Sequence, residues 1–191
     1  MRRLILASLA GFALLPLAVS ASEFSVVQPG KSSIVFVSKQ MGVPSEGRFN
    51  KFAAQIAFDP ARPELGRAQI DVDLASIDAG SSDANEEVKG KDWFNTREFP
   101  AAKFVASSLK SLGGGRYEAA GKMTIKGKTR DVVAPFSARV DGNAVVLDGS
   151  IPILRLQYGV GAGAWSDTAT VADDVQVRFR LTLSAAPPLK K

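Results

Sequence analysis

The chain of 191 residues contains no histidine and no cysteine. Without them it cannot form a Ser-His-Asp or Cys-His catalytic triad, or a metal site with imidazole or thiolate ligands. It also lacks the cysteines for disulfide bonds or lipid attachment, so the fold must depend on its hydrophobic core. The composition therefore predicts a protein that is not an enzyme and that carries no metal and no covalent cofactor.

Carboxylates are the residue type that could still support catalysis. Four of them lie close together in the sequence: Asp83, Glu86, Glu87 and Asp92. Acids at the start of a helix are usually solvated capping residues, and we favour that interpretation. The adjacent pair Asp173 and Asp174 similarly favours a turn over a cation site, because no fixed ligand spacing surrounds it.

The sequence has no cluster of basic residues. Its formal net charge is +5, with basic and acidic residues interspersed. Proteins that bind nucleic acid concentrate basic residues on one face, so we expect no nucleic-acid partner.

The chain has one long apolar run, residues 4–19, which follows Arg2 and Arg3 and precedes the small-residue motif Val19-Ser20-Ala21. This order is typical of a secretory signal peptide. An uncleaved membrane anchor is the weaker alternative, because the run is short and contains a proline. We expect residues 1–21 to be removed, residues 22–191 to form a single domain of net charge +3, and the product to be soluble in the periplasm.

The remaining chain is dominated by segments in which apolar and polar residues alternate, which is typical of strands with one buried face. In the last of them Val175, Val177, Phe179, Leu181 and Leu183 share one side. The predicted strands are 33–38, 55–58, 69–74, 103–109, 117–125, 129–140, 144–153 and 174–184.

Short turns such as Gly113-Gly114-Gly115, Lys126-Gly127-Lys128 and Asp141-Gly142-Asn143 separate these strands, which favours antiparallel neighbours. The fold class we predict is all-β, an eight-stranded antiparallel up-and-down lipocalin-like barrel. A two-sheet sandwich is the alternative. The one helical segment lies near residues 83–95, with Ser82 as its expected N-cap.

Bulky apolar side chains are frequent, and Trp93, Phe94 and Phe99 fall in a loop, where residues are normally polar. Each ring alone could be ordinary core. A lid over an apolar cavity would explain both the rings in this loop and the bulky apolar side chains of the strands. The candidate binding residues are Phe36, Met41, Phe49, Phe52, Phe58, Trp93, Phe94, Phe99, Phe104, Ile125, Phe136, Tyr158, Trp165 and Phe179.

A series of short motifs resembles the YceI-like family of exported bacterial proteins, in the same order along the chain. The motifs are SIVF at 33–36, Gly42, GRFNKF at 47–52, IAFDP at 56–60, LASID at 74–78, KDWFN at 91–95, FPAAKF at 99–104, GKMTIKG at 121–127, RLQYG at 155–159 and VADDV at 171–175. The resemblance implies a lipocalin-like barrel whose apolar interior holds a polyisoprenoid or another long lipid, with Trp93, Phe94 and Phe99 closing one end.

The sequence departs from many family members at three positions. Gln40 and Glu87 stand where these have histidines, and Gln157 stands where an acid is common. The changes affect polar or metal contacts and leave the apolar channel intact. The histidine-poor branch with Trp93 resembles members encoded beside b-type cytochromes, which implies a quinone-type or isoprenoid ligand and a membrane b-type cytochrome as a possible partner.

Three hypotheses follow for the function. The first is a periplasmic lipid-binding protein that transports or stores a long-chain isoprenoid, as a monomer or homodimer. The second is an interaction module that docks on a membrane cytochrome or envelope protein through Trp93, Phe94 and Trp165 and has a filled interior. The third is an enzyme that uses the carboxylates near Glu87.

Overall fold

A computed structural model describes residues 23–185. The predicted signal peptide, residues 1–21, and the tail, residues 187–191, lie outside this range. Eleven strands and one α-helix are present: β1 Phe24–Val27, β2 Ser33–Gln40, β3 Val43–Phe49, β4 Phe52–Ala57, β5 Arg67–Asp73, β6 Ile77–Asp78, α1 Ser82–Lys89, β7 Ala101–Gly113, β8 Arg116–Ile125, β9 Lys128–Asp141, β10 Ala144–Leu154 and β11 Asp174–Ala185.

All eight predicted strands are present, and the all-β antiparallel class is confirmed. The predicted number is low because β1, β3 and β6 were missed. β1 and β6 have only four and two residues. β3 contains Pro44 and is exposed at most positions, so it lacks the alternation on which the prediction relied.

The strands form one antiparallel sheet with the order β4-β5-β7-β8-β9-β10-β11-β2-β3-β6, and β1 pairs with β11. The last strand of this order, β6, continues the segment that contains β5, so the sheet curls back toward its own beginning. β1 also contacts the opposite edge of the sheet. Phe24 and Phe58 exchange two backbone hydrogen bonds of 2.9 and 3.0 Å, which link β1 to the end of β4. The sheet thus encloses an interior.

Two-residue turns join the long hairpins. Gly114-Gly115, Lys126-Gly127 and Gly142-Asn143 occupy the predicted positions between paired strand ends. A further turn, Met41-Gly42, joins β2 to β3, and both of its residues have positive φ, 48° and 80°.

The helix is shorter than predicted. It begins after Ser81, whose hydroxyl accepts a hydrogen bond from the Ala84 amide, so the predicted cap, Ser82, is wrong by one residue. The helix ends at Lys89 because Gly90 takes an extended conformation. Trp93 and Phe94 therefore lie in the turns that follow. Among residues 23–185 no helix has the length and apolar character that a membrane span requires.

The two ends of the interior differ. At the end that contains Tyr117, at the start of β8, the ring of Tyr117 lies 5.2 Å from that of Phe58 and 5.4 Å from that of Phe136, centroid to centroid. The rings of Phe58 and Phe136 are 5.8 Å apart. This cluster fills the interior there. At the end that contains Ile125, the last residue of β8, the interior is open.

Candidate functional site

The open end of the interior contains an apolar cavity of about 270 Å³. Its walls come from inward-facing residues of β2, β3, β5, β7, β8, β10 and β11, and its rim includes Ala84, Glu87 and Val88 of α1. Two further segments, residues 90–100 and 155–173, complete the rim, and we call them the mouth loops. We call this cavity the outer cavity.

A second, inner cavity of about 80 Å³ lies deeper, lined by apolar side chains together with Lys103. One set of residues lines both cavities, and its members come from five different strands: Ile34, Val72, Ala102, Met123 and Val177. We call this set the belt. Because the belt separates the two cavities, a long ligand would have to pass it to occupy both.

Eleven of the fourteen predicted binding residues line a cavity. The outer cavity takes Phe36, Phe49, Trp93, Phe94, Ile125, Tyr158 and Trp165. The inner cavity takes Phe58, Phe104, Phe136 and Phe179.

The other three predicted residues line neither cavity. Met41 lies at the tip of the β2–β3 hairpin and is 71 % exposed. Phe52 is half-buried against the outside of the core. Phe99 is half-buried and lies against Gly127, where a β-carbon would come within 2.9 Å of its ring. Of the three rings predicted to close one end of the cavity, Trp93 and Phe94 therefore line it and Phe99 does not.

Gln40 and Glu87, the positions at which the resemblance implied histidines in many relatives, both lie on the rim of the outer cavity. The Trp165 indole donates a hydrogen bond of 2.8 Å to the Glu87 carboxylate, which joins a mouth loop to α1. The Trp165 ring also lies 5.5 Å from the ring of Trp93, so the two mouth loops contact each other.

Arg155 organises the second mouth loop from within. Its side chain is 2 % exposed and donates to the carbonyl groups of Ala172, Val160, Gly161, Trp165 and Val171 at 2.7 to 3.0 Å. All five N–H groups of a guanidinium can be used in this way, so one side chain fixes the path of the loop. Burial lowers the pKa of Arg155.

Gly161 fits closely against this guanidinium. Its φ is 74°, and a β-carbon at this position would overlap Nη1 of Arg155. The centroid of the Trp93 ring lies 5.6 Å from the guanidinium carbon, and the same ring would be 3.3 Å from a β-carbon on Gly161. The Trp93 indole nitrogen is buried and has no hydrogen-bond partner among residues 23–185.

Lys126 joins the bases of the two mouth loops. Its ammonium donates to the carbonyl oxygens of Lys91 and Gly159, each at 2.8 Å. Burial lowers the pKa of this lysine. Together with Arg155, it holds the rim in one arrangement around the cavity.

The carboxylates considered for catalysis do not converge. Glu86 pairs with Lys89 at 2.9 Å, and Glu87 accepts the Trp165 indole. Asp173 accepts the amide of Leu156, 17 residues earlier in the chain, and Asp174 begins β11. Within residues 23–185, no three acids are placed so that they could hold a metal ion.

The sequence prediction missed Arg155 as a functional residue, along with Ile34, Ala102 and Met123 of the belt. Alternation could have identified the belt, since its members occupy inward positions on their strands. No sequence pattern indicates that Arg155 would bind five carbonyl groups, because its partners belong to an irregular loop.

Comparison with known proteins identifies a family and sequence relatives of this chain. Residues 26–183 match the YceI-like domain family. A UPF0312 protein of Shewanella denitrificans is 33 % identical over 135 residues, which cover 69 % of this chain and 71 % of that protein.

Solved structures with a similar fold include proteins of two other bacteria. The crystal structure of Burkholderia cenocepacia BcnA has 46 % sequence identity and a TM-score of 0.80, over 82 % of this chain and 98 % of that one. A polyisoprenoid binding domain from Saccharophagus degradans, implicated in plant cell wall breakdown, has 17 % identity and a TM-score of 0.65, over 87 % of this chain and 99 % of that one. At this low identity, the similarity to the Saccharophagus degradans domain shows a common fold alone. On the match of residues 26–183, the chain belongs to the YceI-like domain family.

Proposed function

We propose that this protein binds a long apolar lipid, a polyisoprenoid or a quinone-type molecule, inside the curled sheet and carries or stores it in the periplasm. The observation that carries the proposal is the pair of apolar cavities that meet at the belt and open between α1 and the mouth loops. The relative from Saccharophagus degradans described as a polyisoprenoid binding domain supports the same ligand class.

The apolar walls can supply the binding energy without specific polar contacts. Burial of one methylene group is worth about 0.8 kcal/mol, so roughly ten buried carbons would contribute about 8 kcal/mol before the cost of ordering the chain. A dissociation constant of about 1 μM needs a net free energy of about 8 kcal/mol, so more than ten carbons must be buried to offset that cost. The few polar groups at the rim would orient the head of the ligand rather than hold it.

The periplasmic location rests on the N-terminal sequence, in which Arg2 and Arg3, an apolar run and Val19-Ser20-Ala21 stand in the order of a secretory signal. A non-enzymatic role is supported by the separate partners of the acids near Glu87: Glu86 pairs with Lys89, and Glu87 accepts the Trp165 indole. The interaction module is the weaker hypothesis, since it required a filled interior, and the outer cavity is open.

Native mass spectrometry tests the proposal. The protein is exported in a Gram-negative host and purified without detergent, and its mass is compared with that of the chain that begins near Ser22. We expect an excess mass of one lipid per chain, which fragmentation assigns to a class. A ligand-free mass that persists after incubation with isoprenoids and quinones would contradict the proposal.

Fluorescence gives an independent measurement, because the chain contains two tryptophans and both line the outer cavity. Titration of the delipidated protein with a polyprenyl alcohol or a quinone should change their emission until about one ligand per chain is bound. The Trp93→Phe and Trp165→Phe variants assign the signal to each ring. Unchanged emission in the wild type would count against a ligand in this cavity.

A further inference from the structure

The tip of the β2–β3 hairpin has an unusual composition. Among the exposed large apolar residues, Met41, Leu65 and Val43 have the highest exposed fractions, 71 %, 66 % and 65 %. Leu65 lies in a separate short turn after β4. Met41 and Val43 lie on either side of Gly42 and form one apolar tip, defined here by these two side chains.

The turn itself would be more stable with a polar residue. Met41 and Gly42 both have positive φ, as in a type I′ turn, for which asparagine, aspartate and glycine are favoured. A methionine at this position adds conformational strain and exposes apolar surface without packing in the core. A role outside the fold would account for both costs.

The tip is held rigidly beside the cavity mouth. The Met41 amide donates to the Thr170 carbonyl at 2.9 Å, and the Ala172 amide donates to the Lys39 carbonyl at 2.9 Å. These bonds fix the tip to a mouth loop. Ser38, Gln40 and Ser45 of the same hairpin lie on the rim of the outer cavity. The exposed apolar tip therefore continues the rim of the site through which a ligand enters.

A lipid bilayer fits this tip better than a protein surface does. A stable protein interface takes about 20 to 30 residues on each side, far more than two side chains can offer. Burial of each of these side chains among lipid chains is worth about 1.5 to 3 kcal/mol, which suffices for weak and reversible membrane contact. The charges nearest to the tip along the hairpin and the bonded mouth loop are of opposite sign: Lys39 precedes Met41 in β2, and Asp167 accepts a hydrogen bond from Thr170, whose carbonyl binds the Met41 amide. The attraction that the tip itself supplies would therefore be apolar rather than electrostatic.

We propose that Met41 and Val43 insert into the membrane surface and place the mouth of the cavity against the bilayer, so that a lipid passes between membrane and cavity without crossing water. The role in transfer rests on the proposed lipid-binding function, but membrane contact itself does not require a bound ligand.

The test compares two double variants of the exported, processed protein, since residues 4–19 would themselves associate with membranes. The first is Met41→Asn with Val43→Thr. Asparagine suits the turn and threonine keeps the β-branched shape, so both changes preserve the fold. The control is Val133→Thr with Val140→Thr, which changes two valines on β9 that are 50 % and 52 % exposed, away from the mouth.

Flotation with vesicles of phosphatidylethanolamine and phosphatidylglycerol measures membrane contact. We expect the tip variant to bind vesicles about tenfold more weakly than the wild type, with little dependence on salt, while the control behaves as the wild type. Transfer of a polyprenyl alcohol from the same vesicles should slow to a similar extent. Uptake of that alcohol from ethanol solution should be unchanged at equilibrium.

Equal vesicle binding by wild type and tip variant would overturn the inference, as would an equal loss in the control. Sedimentation gives another contrary outcome: if the wild type dimerises, and the tip variant disperses the dimer without losing vesicle binding, the tip is an interface between two copies. Failure of the proposed function is separate, because it appears as no uptake of the alcohol by any route while vesicle binding is still measurable.

Discussion

Arg155 is the residue on which the arrangement of the mouth most depends. Lysine in its place would retain the charge but has three donors on a single nitrogen, so it cannot reach five carbonyl groups. We expect Arg155→Lys to lower the free energy of unfolding by about 3 kcal/mol, measured by urea denaturation. The control is Arg178→Lys, because Arg178 is exposed and lies 3.8 Å from Glu46. Equal effects of the two substitutions would contradict this role.

Tyr158 gives a prediction about pH. Burial raises the pKa of its hydroxyl above the ordinary value, so the folded protein keeps a proton that the unfolded chain releases above about pH 10. The free energy of unfolding should therefore fall as pH rises through and beyond that value. Urea denaturation on both sides of pH 10 checks this, and Tyr158→Phe should show a smaller decrease. A wild type and variant with parallel pH profiles would disprove it.

The candidate site was predictable residue by residue only in part. Phe179 could be placed inside because it occupies an apolar position on an alternating strand, and it lines the inner cavity. Met41 could not be excluded from the site, since its position depends on the register of a strand that the sequence did not indicate. Arg155 could not be found, because local sequence contains no information about which distant carbonyl groups a side chain will meet.

Among the elements, the start of α1 distinguishes two neighbouring serines. The Ser81 hydroxyl accepts the Ala84 amide, whereas the Ser82 hydroxyl contacts only Asp83. We expect Ser81→Ala to cost about 1 kcal/mol and to increase hydrogen exchange in α1, while Ser82→Ala changes little. Hydrogen exchange of the helix amides and urea denaturation measure both effects. A larger effect of Ser82→Ala than of Ser81→Ala would show that Ser82 is the cap, as predicted from sequence.

The elements that the sequence predicted well are those with a regular buried face. β8 has alternating burial along its length, and β7, β9 and β10 pair with their neighbours in long registers. β3 is different, since it is mostly exposed and is stabilised by pairing with β2 and by the Arg48 to Asp78 ion pair of 3.1 Å across to β6. Such a strand depends on its neighbours more than on its own pattern.

At the scale of the whole molecule, the packed core and the open cavity lie at opposite ends of the curled sheet. The end near Tyr117 is packed with aromatic rings, and residues such as Leu181 and Leu183 are completely buried there. The opposite end is left unfilled and is bounded by loops that polar contacts hold in place. Because the packed core and the cavity lie at different ends, substitutions that change the size of the cavity should lower the free energy of unfolding only slightly.

The belt provides a test of the length of the ligand. Ala102→Leu adds three carbons at a position shared by both cavities, so it should close the passage between them. We expect affinity for polyprenyl alcohols of about 40 carbons to fall at least tenfold, while an alcohol of about 15 carbons, short enough for the outer cavity, binds as before. Fluorescence titration of both ligands measures the change.

The neighbouring Ala101→Leu is the matched control, because Ala101 is exposed and lies on the other side of β7. Overpacking at Ala102 costs about 1 to 3 kcal/mol, so urea denaturation must accompany the titration. If the short and the long alcohol weaken equally in Ala102→Leu while the fold remains intact, the ligand does not pass the belt. The binding site would then be the outer cavity alone, and the inner cavity would belong to the core.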